Sequence, residues 1–185
     1  GNPLGAFRPE DLLIIVSEDG TLKTTNPEIS TQFKGMPLII ERWIKGKPIT
    51  LVYYDEIKKD YFIKRFLIET QNKELIYLKD GSKLIFITSE WRPVINIQFK
   101  KKKGEELNHE KKINVEEFIG VKGFKAGGNR LLTEKKYSKF KINKISLFES
   151  LPHDNDLEKN TIDELEVNEP KTVIKSEKTQ IKLKF

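Results

Sequence analysis

The chain has 185 residues, with 34 Lys and Arg against 28 Asp and Glu and a net charge of +6. It contains no cysteine, which excludes a disulfide framework, thiolate zinc sites and thiol nucleophiles. No apolar run approaches the ~20 residues that a bilayer-spanning helix needs, and no signal-peptide pattern opens the sequence, so a cytoplasmic location is expected.

Two alanines (Ala6, Ala126) against many Ile, Val, Phe and Tyr favour strands over helices. The charge is uneven. Residues 151–185 hold six Lys and eight Asp and Glu, so residues 1–150 carry +8.

After a linker-like opening (GNPLG), residues 12–16 (LLIIV) form an apolar run of strand length. Glu18-Asp19-Gly20 reads as a hairpin turn, with Asp-Gly supplying the positive φ. Residues 21–25 return as a strand that Asn26-Pro27 breaks. Residues 38–43 give a third strand. A hairpin follows over 49–54 and 61–68, and another over 75–78 and 83–88 across Asp80-Gly81. Trp91-Arg92-Pro93 interrupts before 94–99, where apolar residues recur. Lys100, Lys101, Lys102 and Lys103, with Gly104, read as an exposed hairpin end. Residues 113–118 are a strand or one helical turn.

Residues 118–133 (FIGVKGFKAGGNRLLT) hold four of the eleven glycines and the cations Lys122, Lys125 and Arg130. Glycine at this density lets a backbone take positive φ and approach another surface closely. The stretch reads as a basic loop closing one β-unit and opening the next, and as the best candidate for an anionic partner. Residues 140–148 supply a final strand. Short strands between turn signals, with no convincing helix, give an all-β fold: a sandwich, a barrel or a propeller-like array. The segments 12–25, 49–68 and 83–99 look like loose strand–turn–strand repeats. From residue 151 the chain turns acidic, then basic, and 151–185 is expected to be a mostly disordered tail.

Catalytic chemistry finds no constellation. His109 and His153 are the two histidines, and neither has metal-ligand spacing with a partner. The glycine stretch lacks the Gly-Lys-Ser/Thr of a phosphate-binding P-loop, and no helix follows it as a dinucleotide fingerprint requires. Most tyrosines and phenylalanines read as core, and Trp43 and Trp91 as packing anchors. Lys64-Arg65 stands inside a strand, where neighbours face opposite sides. One of the pair is therefore expected on a solvated outer face.

Four segments, FRPEDLLIIVSEDGTLKTT, PITLVYYDEIKKDYFIKRFLIE, SKLIFITSEWRPVINIQF and INVEEFIGVKGFKAGGNRLLTEK, together resemble the C-terminal domain of the A subunit of bacterial type IIA topoisomerases. The likeness runs from about Phe7 to Pro152 and is greatest for the topoisomerase IV-type, gyrase A-like subunit. It implies a β-pinwheel, a propeller-like array of four-stranded blades. Residues 1–150 would hold about three to four blades, as a partial or short ring, and 151–185 would be the tail. It also implies a non-catalytic role: binding and bending double-stranded DNA on a basic perimeter for the strand-passing core. In that family the catalytic tyrosine, Mg and ATP act elsewhere, and the partners are the rest of the A subunit and the ATPase B subunit in the bacterial nucleoid.

Gyrase A subunits carry a Gln-x-x-Gly-Gly-x-Gly box that is absent here. The nearest segment, KGFKAGGNR (122–130), departs from it, which favours weak or no chiral wrapping. The residues expected on phosphate are Lys122, Lys125 and Arg130, then Lys64, Arg65, Arg92 and Lys100 to Lys103. Read without the resemblance, the residues give a basic all-β binding module; the alternative is a propeller-like protein-interaction module without specific DNA binding, and a second rival is a small-barrel RNA binder.

Overall fold

The computed structural model describes residues 12–26, 35–69, 74–101, 103–104, 109–137 and 140–154. The chain divides into two units, Gly1–Leu151 and Pro152–Phe185. All described strands belong to the first. The opening residues, Pro27, Lys102 and nearly all of the tail lie outside the described residues.

The fold is all-β, built from three antiparallel sheets. In the first, β1 (Leu13–Ser17) and β2 (Thr21–Thr25) form a hairpin, and β3 (Pro37–Arg42) pairs with the other edge of β1. Gly20 has φ +92°, as the Asp-Gly turn requires. In the second sheet, β4 (Pro48–Asp55) and β5 (Asp60–Leu67) form the hairpin.

The sequence predicts a hairpin over 75–78 and 83–88, but these segments separate. β6 (Leu75–Ile76) crosses to the first sheet and pairs with β2, while β7 (Ser82–Thr88) stays in the second and pairs with β4. Tyr77 explains the crossing. Its ring is buried, its N–H donates to the Gly20 carbonyl at 2.8 Å, and its hydroxyl donates to the Ser17 carbonyl.

The expected repeat over 83–99 also divides. Trp91-Arg92-Pro93 carries the chain from β7 into the third sheet, where β8 (Pro93–Phe99) pairs with β9 (Glu110–Asn114). One helical turn, α1 (Val115–Phe118), follows β9, capped by the Asn114 carboxamide, which accepts from the Glu117 N–H. The chain then returns to the second sheet as β10 (Asn129–Arg130) on the edge of β5. It re-enters the third as β11 (Ile142–Ser150) on β8.

One path is therefore used twice. A hairpin forms in one sheet, a two-residue strand is lent to the sheet before, and a last strand returns beside the first strand of the hairpin. The orders are β3-β1-β2-β6, β7-β4-β5-β10 and β11-β8-β9.

The second sheet is buried on both faces. Ile49, Leu51 and Phe66 join Ile14, Val16 and Leu22 of the first sheet in one cluster. Val52 and Ile63 join Ile95, Ile97, Phe99 and Ile113 of the third in another. Burial on two sides replaces alternating burial with a continuously buried run, as 48–52 and 62–66 show, the second including Lys64 and Arg65. Trp43 anchors an end of the first sheet, its indole N–H donating to the Ile68 carbonyl at 2.8 Å.

The hydroxyl of Tyr77 gives a test of this interlocking. Burial, with the Asp19 and Glu18 carboxylates nearby, pushes its pKa up to about 12. The folded chain thus keeps a proton that the unfolded chain releases near pH 10. Its stabilising share is complete below pH 10 and is lost as pH rises toward 12. Tyr77→Phe is expected to lose about 1–2 kcal/mol at neutral pH, through the orphaned Ser17 carbonyl. Urea unfolding at neutral and alkaline pH reads both effects. The gap between wild type and variant should narrow above pH 10, and a constant gap would count against the hydrogen bond as its source.

Candidate functional site

Residues 119–131 form a strap along the outer edge of β5. At its start the Lys122 N–H donates to the Arg65 carbonyl at 2.9 Å, in a parallel bridge to Phe66. A turn closed by the Ala126 N–H on the Gly123 carbonyl lifts the chain. Phe124 points inward from this turn and meets Phe66 edge-on, with ring centroids 5.0 Å apart.

The Tyr53 hydroxyl then donates to the Gly127 carbonyl at 2.6 Å. At Gly128 φ is +87°, and a Cβ there would lie 2.2 Å from the Ile63 carbonyl oxygen. Only glycine permits this approach. Asn129 and Arg130 pair with Ile63 and Phe62, and Leu131 closes the strap, fully buried, its N–H on the Tyr61 carbonyl. The bridges at Phe66 and Phe62 are four residues apart, so the strap covers about 13 Å of edge.

Ile119, Phe124 and Leu131 of the strap turn in, Val121 is exposed, and the cations turn out. Lys122 is exposed and its ammonium donates to the Asn129 carboxamide at 3.0 Å. Lys125 is exposed on the turn. Arg130 is 69% exposed and approaches Asp60 at 3.4 Å. An exposed pair of this kind is weak and leaves the guanidinium able to meet another anion.

Beyond Asp60 lies an open cleft of about 480 Å³ between the hairpin ends of the second and third sheets. Tyr54, Tyr61, Lys83, Lys100 and Asn143 are among the residues that line it. The sequence reading missed Lys83 and Asn143 here, because the cleft joins strands distant in the chain.

Lys64 and Arg65 are both buried, at 7% and 6% exposure. The expectation that one would face solvent fails because the second sheet has no solvated face. Lys64 lies over the rings of Phe66 and Phe124, at 5.2 and 5.0 Å. Burial lowers its pKa, and the Lys79 charge lowers it further. Arg65 donates to the Trp91 carbonyl at 2.7 Å, and burial lowers its pKa while the Glu116 carboxylate opposes the shift. Arg92 pairs with Glu116 at 3.0 Å, fixing the turn between the second and third sheets against α1. Lys100, Lys101 and Lys103 are exposed at the β8–β9 hairpin end, and Lys102 lies outside the described residues.

Among the described residues no His, Asp and Glu group could hold a metal ion, and no helix is long and apolar enough to cross a membrane. His109 is exposed and lies beside the Phe140 ring.

The family model described as topoisomerase C-terminal domain, Bacteroidota, matches residues 1–147. The chain belongs to that family. No curated protein and no solved structure matched. The match extends over all three sheets of this topoisomerase C-terminal domain except the last residues of β11, and it includes the whole strap. The lent strands and the outward cations are thus features of a topoisomerase-associated domain.

Proposed function

We propose that this domain binds duplex DNA through the cation strap and presents it to the catalytic part of a type IIA topoisomerase. The observation that carries the reading is the clamped edge of β5. Three cations, Lys122, Lys125 and Arg130, stand outward on a backbone held by Phe124, Gly128 and Leu131. Rigid placement of cations suits phosphate, whose charge is fixed along the duplex at regular spacing.

Lys83 and Lys100 carry positive charge along the cleft, where Glu56 is the one acidic lining residue among those described, and Lys101 and Lys103 stand exposed beyond Lys100. Arg92, paired with Glu116 at the opposite end of β8, would meet phosphate there. Lys64 and Arg65 act from inside, by supporting the strap. The finer assignments belong to the same proposal. The three sheets would be blades of a pinwheel within residues 1–150, with 151–185 a separate tail. The subunit would be of the topoisomerase IV A type, with the ATPase B subunit as partner. DNA cleavage would lie with a tyrosine outside this chain, and ATP and Mg would act there too.

The test is a salt titration with a fluorescent duplex of about 40 base pairs. Neutralising Lys122, Lys125 and Arg130 together (K122Q, K125Q, R130Q) is expected to weaken binding. It should also flatten the slope of log affinity against log salt by about 2.7, from roughly 0.9 per phosphate contact. An unchanged slope in a folded variant would remove the strap from the interface. Binding by the wild type to an acidic protein surface but not to the duplex would favour a protein-interaction module instead.

A further inference from the structure

The first and second sheets each receive a fourth strand from the unit that follows, whereas the described residues show none on β9. The two filled edges use equivalent positions. On β2, Leu22 pairs with Leu75 and the Gly20 carbonyl accepts from Tyr77. On β5, Ile63 pairs with Asn129 and the Tyr61 carbonyl accepts from Leu131. In each, two bridging residues are followed by a large apolar residue that is fully or almost fully buried, Tyr77 or Leu131.

On β9 the Phe99 N–H donates to the His109 carbonyl. Alternation then turns the main-chain groups of Lys111 and Ile113 toward β8 and those of Glu110 and Lys112 outward. Glu110 and Lys112 are thus the counterparts of Gly20 and Leu22, and of Tyr61 and Ile63.

We propose that the outer edge of β9 accepts an extended peptide strand from another protein, with acidic residues flanking an apolar centre. Main-chain bonding supplies the affinity, as wherever a strand is added to a sheet edge. The side chains around the edge set the charge of the partner. The Glu110 carboxylate is already engaged by the Gln98 amide at 3.0 Å, and Lys111 by Glu134. The ammonium of Lys112 rests over the Phe148 ring at 4.1 Å, free of any carboxylate among the described residues. Lys100, Lys101 and Lys103 stand exposed at the end of the same hairpin. The neutral Gln98 amide does not cancel the Glu110 charge, but Lys112, Lys100, Lys101 and Lys103 outnumber it, so the balance along this edge favours an anionic strand over a basic one. The main-chain edge at Glu110 and Lys112 lies apart from the strap on β5. Lys100, Lys101 and Lys103 are common to both readings, but Lys112→Pro touches the edge alone and the strap variants leave it intact, so either assignment can fail alone.

The probe is a fluorescein-labelled peptide carrying the Leu-Ile-Tyr-Leu core of β6 between Asp-Glu pairs, titrated by anisotropy into the full chain. Saturable binding is expected. Lys112→Pro removes one outward N–H and leaves the β8 ladder whole, as edge prolines do. It should weaken binding by about tenfold or more, whereas Lys112→Ala, which keeps the main chain, should cost less than about threefold. Hydrogen exchange on the wild type gives a readout independent of the variant's folding. The peptide should slow exchange at Glu110 and Lys112, with Lys111 and Ile113 already slow. No binding, or equal binding by wild type and a folded Lys112→Pro, would overturn the assignment. So would self-association that Lys112→Pro abolishes in place of peptide binding, which would give the edge to a second copy of this chain.

Discussion

Gly128→Ala is expected to destabilise the domain by at least about 3 kcal/mol, because strain and overpacking act at one atom. The new Cβ would lie 2.2 Å from the Ile63 carbonyl oxygen and 2.9 Å from its carbon. These are main-chain atoms of a central strand, so no side-chain rotation relieves the contact. The φ of +87° adds a cost that any L-residue bears. Gly123, whose Cβ would meet open space, is the control, and Gly123→Ala should stay within about 0.5 kcal/mol of wild type. Urea midpoints compare the two. Equal midpoints would mean that the strap does not lie against β5 as described. The proposed interface adds a second outcome. Releasing the strap should reduce duplex affinity although no charge has changed.

Phe66→Ala should cost about 3–5 kcal/mol, the range for emptying a large buried aromatic site. Phe66 is fully buried, packs with Ile49 and Leu51 between the first and second sheets, and takes the edge contact of Phe124. Its loss leaves a cavity under the strap and strips the Lys64 ammonium of one of its two rings. A buried cation that loses a favourable neighbour is costlier to keep charged. Phe66→Leu refills most of the space but restores no ring. Comparing the two by thermal unfolding separates the cavity from the ring contact, and a Phe66→Leu variant as unstable as Phe66→Ala would assign most of the loss to the ring.

Much of the strand content was legible in the sequence, because turn chemistry is local. Asp19-Gly20 and the Gly104 end mark their hairpins, whereas residues 113–118 read equally as strand or helical turn, and the structure divides them between β9 and α1. The apolar runs around Val52 and Ile63 announced strands. What local chemistry does not carry is partnership. Leu75 and Ile76 read as a strand that should fold onto the nearest strand in sequence, and instead they bind β2, more than fifty residues earlier. The same non-local pairing hid the role of the glycine stretch, whose outward cations were legible but whose seat on β5 was not.

Lys64 and Arg65 show the converse error. Charge suggested exposure, but a sheet covered on both faces leaves an outward direction to neither residue. Both stay inside on the strength of partners that the sequence does not place beside them: two rings for one, and the Trp91 carbonyl for the other.

Lending strands backwards also governs how the protein can be made and cut. A ribosome releases the first sheet before the strand that completes it exists, and β2 keeps a bare edge until residue 76 has emerged. The edge of β5 waits in turn for residue 130. Each sheet is therefore sticky toward other nascent copies for the time that several dozen residues take to synthesise. No boundary drawn between two of these sheets yields two finished pieces. A fragment ending at β5 leaves an unfilled groove, and one beginning at β6 starts with a strand that has nothing to bind.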